Sequence, residues 1–135
     1  MSEKVIHSAL RTQFASIPSY PKAYMNTSYT PIEGTLYLQE FFIPSEVFQV
    51  GIEDGSTDEY RGIYQISIQA PVSIDAVSGG MSPTYQALED IKTYFYRGLI
   101  LNNNVRITKV YSSSSIIGDS WMLTPVTINY TAFIK

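Results

Sequence analysis

The sequence predicts an α+β domain of two layers: a roughly four-stranded, mainly antiparallel or mixed sheet with two helices packed on one face. Three observations carry this. The stretch Arg61 to Pro71 alternates, with Tyr64, Ile66 and Ile68 on one side and Gln65, Ser67 and Gln69 on the other, which is the period of a strand with one buried face. Two segments, one near the start and one after Ser82-Pro83, instead repeat apolar residues every three or four positions, the period of a helix. A chain of 135 residues has the size of one domain, so residues 1–135 read as a single unit.

Taken in order, Ser2 is placed to cap a helix, and Ile6, Ala9, Leu10, Phe14 and Ile17 form its apolar stripe before Pro18, predicting a helix over 3–16. Lys4, His7, Arg11 and Gln13 make up its polar side, and His7 reads as solvent-facing. Residues 18–35 hold three prolines and Gly34 and read as coil. Tyr20, Tyr24 and Tyr29 punctuate that coil as aromatic anchors, where a flexible linker would favour Gly and Ser.

A first strand runs from Thr35 to Ile43, with Leu36, Leu38 and Phe42 on one face and Tyr37, Gln39 and Phe41 on the other, and Pro44 is expected to end it. The following 44–60 segment, with Gly51, Gly55 and the acids Glu53, Asp54, Asp58 and Glu59, reads as a long loop, a feature usually tied to function or mobility in a small domain. After the Arg61 to Ala70 strand and a 71–80 loop, Ser82-Pro83 opens a second helix whose stripe is Ala87, Leu88, Ile91, Tyr94 and Phe95. Gly98 suits the left-handed conformation after a helix end. Asn102-Asn103-Asn104 turns the chain into a third strand through Val105, Ile107 and Val110. Beyond the small-polar loop Ser112 to Ser115, Trp121 to Ile134 alternates as a fourth, with Val126, Ile128, Tyr130, Ala132 and Ile134 on one face.

Composition limits the function classes. Charged residues are only 16% and the net charge is −3, with no run of Lys or Arg, so a nucleic-acid footprint is missing. No stretch approaches the length of an apolar membrane span, and the Met-Ser-Glu-Lys start lacks a signal peptide's apolar core; a protein made in the cytoplasm is expected. Cysteine is absent, which removes disulfides and thiolate chemistry. Eleven tyrosines suit interfaces, since Tyr joins a large apolar face to a polar tip.

A catalytic kit is not legible. His7 is the single histidine, so imidazole metal sites are out and a Ser-His-Asp triad would depend on it alone. The acids between 53 and 59 do not follow calcium-loop spacing. Gly79-Gly80 precedes a helix but no phosphate-loop lysine follows. Glu40, on the face of Leu36, Leu38 and Phe42, is the one acid on a rigid element that could serve in catalysis; its alternative is a subunit boundary or an ion pair with Arg61 or Arg106. Catalytic residues, cofactors and metal ligands are therefore all expected to be none.

The runs Pro21-Lys22-Ala23-Tyr24-Met25-Asn26 with Tyr29-Thr30-Pro31, Gly34-Thr35-Leu36-Tyr37-Leu38, Arg61-Gly62-Ile63-Tyr64-Gln65-Ile66-Ser67-Ile68 and the helix end Phe95-Tyr96-Arg97-Gly98 resemble the tail-terminator or tail-completion proteins of long-tailed phages. The likeness covers roughly residues 1–111 and weakens after Ser112. It implies a virion protein that forms a homo-oligomeric ring, usually a hexamer, on the head-proximal end of the tail. Its implied partners are the major tail tube protein and the head connector or neck proteins. DNA would pass through such a ring without specific binding, and no membrane is involved. A ring needs a heterologous interface. Gln65, Ser67 and Gln69, with Tyr37 and Gln39 of the preceding strand, are the expected subunit contact. Glu53, Asp54, Asp58 and Glu59 are the expected tube-contact or lumen loop, where negative charge would keep DNA from sticking. A head-completion or neck protein shares this assembly logic, and a carbohydrate-binding module built on exposed tyrosines is an alternative of another class.

Overall fold

In the computed structural model, which describes residues 2–31, 35–49, 58–71, 82–118 and 121–134, two helices cover one face of a curled, seven-stranded sheet. The elements run α1 (Ser2–Ala15), β1 (Lys22–Ala23), β2 (Tyr37–Gln49), β3 (Asp58–Pro71), α2 (Ser82–Tyr94), β4 (Ile100–Leu101), β5 (Val105–Ser112), β6 (Ile116–Ile117) and β7 (Trp121–Ile134). The strand order is β1-β2-β3-β7-β5-β4, with β6 also paired to β7. Only β1 and β2 are parallel; every other pairing is antiparallel. The expected four strands are thus the central β2, β3, β7 and β5, and three two-residue strands extend them.

The core follows the predicted alternation. Ile6, Leu10, Phe14 and Ile17 from the α1 side and Ala87, Ile91 and Phe95 from the α2 side pack on Leu38, Phe42, Tyr64, Ile66, Ile68, Val126, Ile128 and Tyr130, all buried. Both helices therefore lie on one sheet face, the one to which Tyr64, Ile66, Ile68 and Ala70 of β3 and Val126, Ile128, Tyr130 and Ala132 of β7 point at alternate positions. The coil after α1 is held as its tyrosines suggest. The Tyr20 hydroxyl donates to the Asp90 carboxylate on α2, Tyr24 meets Phe14 edge-on at 5.7 Å, and Tyr29 lies 4.7 Å from Tyr37.

Proline does not end β2 as expected. The strand continues through Pro44 to Gln49, with a register shift between Pro44 and Val47, and β3 begins at Asp58, so most of the described part of the 44–60 segment is strand. Proline is tolerated because β1 pairs only with Leu38 and Gln39, so the outer side of β2 at Pro44 has no described partner needing an amide hydrogen. Pro125 lies inside a central strand by a related device. It sits where the outer neighbour of β7 changes from β5, paired as far as Val126, to β6, paired at Leu123, and its carbonyl still accepts from the Ser113 amide.

Turn residues act as read. Asn102 and Asn103 take positive φ values of 51° and 62° at the centre of the β4–β5 hairpin, which asparagine tolerates better than most residues. Gly98, at φ 95°, donates to the Ile107 carbonyl and brings the chain from α2 onto the edge of β5. Gly62 has a different reason: a Cβ there would stand 2.5 Å from the Tyr130 hydroxyl and 2.8 Å from the Ile43 carbonyl. Gly62→Ala is expected to lower the unfolding free energy in urea by about 1–3 kcal/mol, the usual cost of overpacking. Adding Tyr130→Phe should recover only part of that loss, since the Ile43 carbonyl remains.

Candidate functional site

Among the described residues, one polar constellation stands on each face of the sheet within the region of the sequence-predicted residues. On the helix-covered face Glu40 is wholly buried, and five contacts converge on its carboxylate. Oε1 accepts from the Tyr64 hydroxyl at 2.5 Å and from His7 Nε2 at 3.2 Å. Oε2 accepts from Arg11 Nε at 2.6 Å, from Arg11 Nη2 at 2.5 Å and from the Met25 amide at 3.0 Å. Arg11 also donates to the Met25 carbonyl at 3.2 Å and lies 5.4 Å from the Tyr24 ring centre.

His7 stacks on Phe42 at 4.7 Å and stands edge-on to Tyr64 at 6.2 Å. It is half-buried rather than solvent-facing, and works as a donor within this cluster. The pairing expected for Glu40 is also corrected. Its partner is neither Arg61 nor Arg106 but Arg11, with His7 one helical turn before it. Strand parity explains why: Glu40 stands opposite Ile66 on the helix side, whereas Arg61 shares the parity of Gln65 and points to the other face.

Burial alone would push the Glu40 carboxyl upward, yet the bonds from Tyr64, Arg11, Met25 and His7 outweigh it and hold the group below the ordinary glutamate range. The Tyr64 hydroxyl is driven well above its usual value by burial and then by the neighbouring carboxylate. With every carboxylate oxygen engaged by protein donors, Glu40 is a structural anion, a poor candidate for general acid or base work.

The second constellation occupies the face away from the helices. Tyr37 pairs with Gln69, Gln39 with Ser67 and Phe41 with Gln65, and β7 continues these rows with Leu123, Pro125 and Thr127. All five residues expected at the subunit contact therefore lie together. Gln69 donates to the Gln39 side-chain carbonyl at 3.3 Å, and Gln65 to the Ser67 hydroxyl at 3.0 Å. Tyr37, Gln39, Gln65 and Gln69 are half-buried, but Ser67 is fully buried. The expectation that Ser67 itself faces a neighbour is thus narrowed: the longer side chains around it close over it, and the amides beside it form the accessible surface.

Of the acid segment, Glu53 and Asp54 lie outside the described residues. Asp58 and Glu59 belong to β3, not to a loop, and Glu59 pairs with Arg61. Sequence reasoning did not foresee a cavity of about 390 Å³ at that end of the same face, where Arg61, Arg97 and Arg106 converge around Glu59, Thr131 and Phe133. Arg61 and Arg106 both stand opposite Thr131 in the register, a relation that only the strand order reveals. Among the described residues no cluster of His, Cys, Asp and Glu could hold a metal ion, and no helix is long and apolar enough to cross a membrane. The large exposed tyrosines, Tyr85, Tyr96 and Tyr111, sit on separate elements rather than on one sugar-stacking platform.

Fold and site together define a protein with one polar cluster that holds its layers together and an open sheet face that is uncharged over the rows of Tyr37 to Gln65 and basic at its Arg61 end. Comparison with known proteins makes the class specific. A family profile for phage tail terminator proteins matches residues 5–130, and the chain belongs to that family. It is a structural component of the phage tail, carried in the virion, that works through contacts with other tail proteins. Seven solved chains match. One is 22% identical at a TM-score of 0.73, covering 98% of this chain and 96% of its own, a likeness that shows the fold. No curated protein matches.

Glu40 gives a pH test. A carboxyl whose folded pKa is depressed stabilises the fold above its unfolded pKa, and that contribution is lost as pH falls through the folded value. Urea midpoints of the wild type should therefore fall as the pH drops below the ordinary glutamate range. Tyr64→Phe is expected to cost about 1.5–3 kcal/mol near neutral pH, the worth of a hydrogen bond to a charged group. It should also shrink the acid-dependent loss; an unchanged pH profile would remove Glu40 as its source.

Proposed function

We propose that this chain is the ring-forming tail terminator of its phage: copies close into a ring, a hexamer in the family's usual form, on the head-proximal end of the tail tube. There the ring stops tube growth and offers its other side to the head connector. The reading is carried by the rows of Tyr37, Gln39, Gln65 and Gln69, which are adjacent, uncharged and free of any described helix. Such a face is too polar to have to be covered in the single chain, yet its half-buried amides and aromatic ring suit a subunit contact with many hydrogen bonds. Assembly is heterologous, with this face meeting a different patch of the next copy, because a rotation of that kind closes into a ring. The acids Glu53 and Asp54, ahead of β3, supply a contact with the tube protein or the adjacent subunit.

Light scattering of the purified chain is expected to give a mass several times the 15.2 kDa of one copy, with rings visible by negative-stain microscopy. Placing charge on the shared face through Gln39→Arg with Gln69→Arg should abolish the ring and leave the circular-dichroism melt within a few degrees of wild type. Antibody labelling of particles should mark the tail side of the head–tail joint. Label on the portal side would replace this reading with that of a neck protein.

A further inference from the structure

The arginine cleft was anticipated by no motif and takes no part in the fold's polar clusters. Three of the chain's four arginines, Arg61, Arg97 and Arg106, line one cavity of about 390 Å³. The fourth, Arg11, is committed to Glu40. Among the described residues Glu59 is the one acid lining the cleft, and it pairs with Arg61. Neither the Arg97 nor the Arg106 side chain has a hydrogen bond or ion pair among the described residues, and both residues are exposed. Three cations against one anion make this a basic spot on a chain whose net charge is −3. Phe133 and Thr131 also line it, so it offers apolar surface beside the charged groups.

The cleft is also continuous with the proposed subunit contact. Arg61 shares the parity of Gln65, Ser67 and Gln69 along β3, and Thr131 and Arg106 extend its row across β7 and β5. With neighbouring strands about 4.8 Å apart, Arg61 and Arg106 stand on the two sides of Thr131, spaced to hold an acidic segment between them.

We propose that this cleft receives the acidic segment of a second copy of this chain, with Glu53 and Asp54 supplying carboxylates to Arg97 and Arg106. The proposal rests on the ring reading above and names its charged contact. Three observations favour this occupant. The acids fall as a pair within a short Gly-containing stretch, Gly51-Ile52-Glu53-Asp54-Gly55, whose Ile52 suits the exposed Phe133 ring beside the arginines. Guanidinium forks match carboxylates bidentately. Donor segment and receiving cleft are different patches of one chain, as a heterologous contact requires. DNA phosphate is disfavoured, because the Glu59 carboxylate also lines the cleft and the overall charge is negative.

Two measurements decide it. In the first, a labelled peptide of residues 50–58 is titrated into the purified full chain. Saturable binding is expected, weakened at least tenfold by Arg97→Glu with Arg106→Glu, and lost when the peptide carries Glu53→Arg and Asp54→Arg. In the second, sedimentation follows assembly of full-length variants. Each pair of reversals should weaken self-association at least tenfold, and the four changes combined in one chain should restore it. Peptide binding that ignores the arginine reversals overturns the proposal, as does assembly that ignores them; a wild type that still forms rings would leave the ring reading standing. A wild type that never assembles would sink the ring reading, and absence of peptide binding would sink the cleft. Binding of a labelled DNA duplex that depends on Arg97 and Arg106, without peptide binding, would assign the cleft to phosphate instead.

Discussion

One buried carboxylate determines how the layers of this protein meet. Glu40 sits on β2 yet is held by α1 through His7 and Arg11, by the coil after α1 through the Met25 amide, and by β3 through Tyr64. A carboxylate taken from water is costly unless its lone pairs are filled, so these four segments must arrive together for any of them to be comfortable. The first helix cannot slide by a turn without stripping both His7 and Arg11 from their acceptor. Hydrophobic packing of Leu10 and Phe14 tolerates small shifts; this ion does not. The cluster therefore sets register and orientation more than it adds net stability.

Much of this was legible in the chain. Alternation along 61–71 placed Tyr64, Ile66 and Ile68 inside, and periodicity placed both helices on the same side of the sheet. The three tyrosines of the coil each proved to be an anchor. Gly98 and the asparagine turn followed from backbone conformations that few other residues accept. The five residues of the proposed contact fell on one face because strand parity is a local property, readable without knowing the strand order.

What escaped the sequence was non-local. Two-residue strands such as β1, β4 and β6 carry no period, and they exist because a longer neighbour offers a partner. Pro44 looked like a stop, but an edge without a described partner lets a strand run through it. Alternation puts Glu40 on the helix side, whereas the parity of their strands points Arg61 and Arg106 away from it. The spacing of His7 and Arg11, four apart on a helix, was the available clue. The meeting of Arg61 and Arg106 across Thr131 depends on β7 lying between β3 and β5, an order that sequence patterning does not encode.

The parity of β3 has an evolutionary consequence. Each residue from Tyr64 to Gln69 points to one of two sides, toward the helices or toward the open face, and the directions alternate without a break. Gain or loss of a single residue within the strand would exchange the two sets wholesale, sending Tyr64 and Ile66 outward and amides into the core. Related chains can thus diverge freely in which side chains they display on the open face, the property that lets a subunit change partners. The length of this strand is far more tightly constrained than its outward chemistry.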